Sequence, residues 1–97
     1  MSTERYRFVY GERLSLKEVA GCTGLHVEEV RELFQLGLIE PLERDPTPAF
    51  SERAVFRINK ILRLKNELGI DMNSMEIVLN LLDRIEELET ELKLFRR

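Results

Sequence analysis

The sequence predicts a mainly α-helical fold, a winged helix-turn-helix with a small β wing, followed by a C-terminal dimerisation helix. Three features of the chain predict it. Residues 14–41 hold two short amphipathic stretches joined by a glycine-containing turn. Residues 41–48 gather Pro41, Pro46 and Pro48 between apolar segments. No helix breaker then appears from Asn73 to Arg97. With 97 residues, 43% of them hydrophobic, the chain fits one small domain plus an appended helix. The expected division is a winged helix-turn-helix domain over 1–72 and a helix with a coiled-coil seam over 73–97.

The elements follow in order. Residues 5–10, Arg-Tyr-Arg-Phe-Val-Tyr, are rich in aromatic and β-branched side chains and predict a short strand that Gly11 ends. Ser15 with Glu18 three residues on is a capping box, opening a short helix from Leu16 to about Ala20. Gly21 and Gly24 punctuate the turn after it. A second helix runs from near His26 through Gln35, with Leu25, Val30, Leu33 and Phe34 on its buried face. Gly37 stops it. Leu38 and Ile39 on one side of the proline loop, with Ala49 and Phe50 on the other, predict a hairpin over 38–50.

Ser51 is the expected cap of a third helix that runs to Leu68. Its apolar positions are Ala54, Val55, Ile58, Ile61, Leu62 and Leu68. Gly69 closes it, and a last helix restarts at Asn73 or Ser74. In that helix Leu81, Ile85, Leu88, Leu92 and Phe95 follow a 4, 3, 4, 3 spacing, an a/d seam over about two heptads flanked by charge. A terminal seam has little of its own domain to pack against, so these five residues are the expected homodimer interface. Met75, Val78 and Leu82 are left to pack on the globular part.

Charge distribution narrows the function. The formal net charge is -3, whereas a nucleic-acid binder carries a basic balance or at least a basic face. Residues 22–50 hold six carboxylates against two arginines, and residues 51–69 hold five basic side chains against two acidic. The lone Cys22 excludes an intrachain disulfide and suits a reducing, cytoplasmic setting. No apolar run is long enough for a membrane span. Cys22 and His26 are too few ligands for zinc. With no phosphate loop or nucleophile elbow either, no catalytic residue, metal or cofactor is expected, and the chain reads as a binding protein rather than an enzyme.

The second helix is the informative element. In a DNA reader this helix brings Arg, Lys, Asn, Gln, Ser or Thr to base edges and phosphates. Here its exposed positions are His26, Glu28, Glu29, Arg31, Glu32 and Gln35, and the wing adds Glu40, Glu43 and Asp45 against Arg44. A carboxylate beside a phosphate is repelled instead of releasing a counterion. The candidate partner-binding set is therefore Glu28, Glu29, Arg31, Glu32, Glu40 and Glu43, suited to a basic protein. Arg53, Arg57 and Lys60 on the third helix suit phosphate contact or plain solubility.

From Leu25 onward the chain resembles the CbpM family of chaperone modulators, related to MerR-type helix-turn-helix regulators. The resemblance rests on Gly37-Leu38-Ile39-Glu40-Pro41, on Phe50, and on Arg63-Leu64-Lys65-Asn66-Glu67-Leu68-Gly69-Ile70-Asp71. It continues through Leu79, Leu81-Leu82-Asp83, Ile85, Leu88 and Glu91. It implies a MerR-like fold and a dimer that binds and inhibits the J-domain of a DnaJ-like, CbpA-type co-chaperone. DNA-binding relatives carry an Arg-Tyr-Tyr type signature in the second helix, where this chain has Val30-Arg31-Glu32-Leu33-Phe34. The competing expectation is a MerR-type DNA-binding transcriptional regulator.

Overall fold

Ser15 Oγ accepts the Glu18 N–H at 3.1 Å, and the Glu18 carboxylate accepts the Ser15 N–H at 2.9 Å. This reciprocal cap opens the first helix, α1 (Leu16–Thr23), in a computed structural model that describes residues 13–96. The strand expected over 5–10 lies outside the described residues. α1 runs past Ala20 and through Gly21. A glycine inside a helix costs only about 1 kcal/mol relative to alanine, which one flanking turn of hydrogen bonds offsets. Termination waits for Gly24, whose φ of +78° only glycine adopts without strain. Its N–H returns to the Ala20 carbonyl at 3.0 Å.

The second helix, α2 (Val27–Gln35), follows after His26. The Glu29 carboxylate accepts the His26 N–H at 2.9 Å, satisfying a donor that the helix start leaves open. At the other end Gly37 again takes a φ of +78°. The Leu38 N–H reaches the Leu33 carbonyl and the Gly37 N–H reaches the Phe34 carbonyl, both at 3.0 Å. This is the paired closure of a Schellman motif, and its usual apolar contact falls on Leu33 and Leu38, both buried.

The expected β hairpin is not formed. Residues 38–50 are a loop pinned by an isolated antiparallel bridge between Glu43 and Ala49, with Leu42 N–H also on the Ala49 carbonyl at 2.7 Å. A second isolated bridge joins Leu14 to Phe50. The reason is local: Pro41, Pro46 and Pro48 each lack the N–H a strand ladder needs. Leu38 and Ile39 are buried, but in a bend and not in an extended piece.

Ser51 Oγ accepts the Arg53 N–H at 3.2 Å at the start of α3 (Glu52–Leu68). Ala54, Val55, Ile58 and Ile61 are buried as the periodicity predicts. Leu68 instead is 70% exposed, and Leu64, one turn on from Ile61, takes the inward position. The last helix, α4 (Met72–Phe95), starts earlier than expected because Asp71 caps it, its carboxylate accepting the Ser74 N–H at 2.8 Å.

By contact the chain divides into two units, Met1–Lys60 and Ile61–Arg97. In the first, α1 packs against α2. Leu14, Val19, Val30, Phe50 and Ile58 are among the most deeply buried side chains there. In the second, Ile61, Leu64, Met75 and Leu79 are buried. Among the described residues no polar or charged side chain is buried, so apolar burial carries each unit.

Candidate functional site

The acidic face begins with how α2 uses its own carboxylates. Glu29 is committed to the helix start through the His26 N–H. Glu28 pairs with Arg31 one turn away at 2.7 Å, both partners substantially exposed. In the wing, Glu43 pairs with Arg13 across the segment that precedes α1. Exposed pairs of this kind contribute about 0–1 kcal/mol to stability, but each lowers the local negative charge. Glu32 and Glu40 differ: both are exposed, and their carboxylates have no ion pair among the described residues. Six sequence-predicted residues thus resolve into two unpaired carboxylates and four side chains already engaged.

Wing and α2 are held together through aromatic contacts. The Phe34 ring meets the Phe50 ring edge-on, with centroids 5.7 Å apart and planes at 88°. The Arg44 guanidinium lies over the Phe34 ring, 5.3 Å from its centroid. Both contacts belong to the Met1–Lys60 unit. The single basic group of the wing is thereby turned onto an aromatic face of α2. Phe34 is half-buried, where the periodicity had placed it fully inside.

Of the exposed apolar side chains that periodicity did not single out, Phe56 on α3 among them, two lie near the acidic residues in sequence. Leu36 stands one turn after Glu32, and Leu42 lies between Glu40 and Glu43; they are 52% and 55% exposed. The signal that marks Leu42 is an apolar residue framed by acidic ones, which a search for buried periodicity passes over; Leu36, between Gln35 and Gly37, carries no such signal.

On α3, Arg57 donates from Nε to the Leu38 carbonyl at 3.4 Å, tying that helix to the chain just after α2. Its role is therefore at least partly architectural. Arg53 is exposed, and Lys60 is half-buried. Cys22 is half-buried within α1, and no three His, Cys, Asp or Glu side chains converge among the described residues.

Along α4, the five seam residues Leu81, Ile85, Leu88, Leu92 and Phe95 are 46% to 87% exposed. Ile77, four residues before Leu81, extends the apolar surface toward the helix start, and Leu94 flanks it. The inward residues of the same helix are Met75 and Leu79, fully buried, with Val78 and Leu82 half-buried. No described helix is long and apolar enough to cross a membrane.

Residues 14–97 match the family described as MerR HTH family regulatory protein. The chain is also similar to the chaperone modulatory protein CbpM of Escherichia coli (strain K12 / DH10B), 34% identical over 76 residues. That alignment covers 77% of this chain and 75% of the relative. Proteins of the same name from Escherichia coli O157:H7 and Shigella boydii serotype 18 match to the same extent.

Proposed function

We propose, from the premise that this chain belongs to the CbpM family of MerR-related helix-turn-helix proteins, that it modulates a chaperone by direct binding and without catalysis. Its target is the J-domain of a DnaJ-like, CbpA-type co-chaperone, which it inhibits by covering a basic surface. The observation that carries this reading is the acidic helix α2. It presents Glu28, Glu29 and Glu32 with Arg31 as its one basic residue, where a DNA reader needs donors and positive charge. Glu40 and Glu43 of the wing belong to the same partner-binding set. Complementary charge of this kind steers association and rejects wrong partners.

The protein acts as a homodimer held by Leu81, Ile85, Leu88, Leu92 and Phe95. Their exposure along one helix supports this, since a row of apolar side chains in water marks an association site.

The test is calorimetric titration of the J-domain with wild type and with the Glu32→Lys/Glu40→Lys variant. Those carboxylates are neither capping nor paired among the described residues, so their reversal leaves the fold alone. Affinity is expected to drop about tenfold or more, with a shallower salt dependence. Unchanged affinity would move the site off this face. The DNA-regulator reading is tested by gel shift with random duplex at low salt. Tight binding that collapses steeply as salt rises would replace the chaperone reading.

A further inference from the structure

We infer that Leu36 and Leu42 are the apolar anchors of the acidic face, so that the surface it recognises is basic and amphipathic rather than merely basic. The inference rests on the proposed J-domain reading and names what that site selects.

An isolated exposed leucine is ordinary on a protein surface, so the case depends on why these two are exposed. Leu36 sits at the end of α2, where a helix usually closes with an apolar contact. That contact is made by Leu33 and Leu38, which are 7% and 6% exposed. The helix closure therefore does not need the Leu36 side chain, which is 52% exposed one helical turn from Glu32, unpaired among the described residues. Leu42 is held in place by its N–H bond to the Ala49 carbonyl at 2.7 Å and follows Pro41, so its backbone is fixed while its side chain is exposed. Glu40, unpaired among the described residues, and Arg13-paired Glu43 flank it in sequence. Arg44 over Phe34 and Phe34 against Phe50 fasten the wing to α2, so both leucines ride on one unit. Leu42 thus has an acid on either side and Leu36 an acid one turn before it, and apolar residues near charge are the makings of a binding hot spot, in which the charges orient the partner and the excluded water supplies the affinity.

The occupant that fits is a helix of the partner presenting Lys or Arg on both sides of an apolar side chain. A purely polar basic segment, such as a flexible lysine-rich tail, satisfies the carboxylates and leaves the leucines wet.

The full-length chain and its Leu36→Ser/Leu42→Ser variant are titrated with the isolated J-domain at several salt concentrations. Both substitutions are at exposed positions, and a thermal melt checks that the fold is kept. The expected result is affinity at least about tenfold weaker, the loss of a truncated hot spot, with the salt slope unchanged. Leu36→Met/Leu42→Met restores binding to within a few fold. Affinity of the serine variant within twofold of wild type overturns the inference while leaving the J-domain reading standing. A loss accompanied by a shallower salt slope also overturns it, because the leucines would then act only by placing the carboxylates. A wild-type chain that does not bind the J-domain at all sinks both readings together.

Discussion

A carboxylate already holding a backbone N–H or a guanidinium is a poorer ligand for a partner than one facing water. Sequence counting weighs Glu28, Glu29, Glu32, Glu40 and Glu43 alike, yet only Glu32 and Glu40 remain unpaired among the described residues. The difference has a consequence for stability as well as binding. Glu29→Ala removes the acceptor of the His26 N–H and is expected to lower stability by about 0.5–1 kcal/mol. Glu32→Ala is expected to change it by less than about 0.5 kcal/mol. Urea denaturation of the two variants distinguishes them, and equal losses would mean that the Glu29 cap contributes nothing. Which acid lacks a partner was not legible in the sequence, because pairing depends on rotamers and on residues distant in the chain, as with Arg13 and Glu43.

At the scale of elements, legibility followed the chemistry of the ends. Ser15 with Glu18, Ser51 and Gly37 mark boundaries through hydrogen bonds made within a few residues, and those boundaries appear where the sequence puts them. Asp71 shows the limit, since its capping role was visible only once the backbone around Ser74 was in place. The wing shows another: apolar residues flanking a turn suggest a hairpin, but three missing N–H groups prevail, and the segment stays a pinned loop. Gly37→Ala tests the α2 closure. A Cβ at φ +78° is strained even though nothing lies within 4 Å of where it would sit, so a cost of about 1 kcal/mol or more is expected from backbone conformation alone. A stability unchanged in chemical denaturation would show that the α2 end relaxes freely.

For the whole molecule, the telling contrast is within α4. Met75 and Leu79 are completely buried, while the row from Leu81 to Phe95 is open along its length. The heptad spacing made that division readable in part, because a seam and a core stripe occupy different faces of one helix: Met75 is inside as expected, Val78 and Leu82 are half-buried, and Leu79 was not among the inward residues expected. What the spacing could not say is whether the chain would fold back and cover the row itself. Leu88→Asp places a carboxylate at the centre of the seam. Sedimentation equilibrium is expected to show a dimer for wild type and a monomer for this variant, with helical content kept because Leu88 is already 46% exposed in the single chain. A variant that still sediments as a dimer would place the interface elsewhere. J-domain binding by the monomeric variant would further show that each acidic face works alone.

The bridge between Leu14 and Phe50 closes the segment that carries the proposed binding face into a ring. Its two clasping hydrogen bonds join Leu14, two residues before α1, to Phe50, two residues before α3, with α1, α2 and the wing strung between them. A ring cannot be loosened at one end only. Trimming the chain back beyond Leu14 would deprive Phe50 of both bonds and slacken the wing from its far side, thirty-odd residues away in sequence. The amides of Leu14 and Phe50 should therefore exchange with solvent through one shared opening event, with the same opening free energy, as two halves of a single clasp.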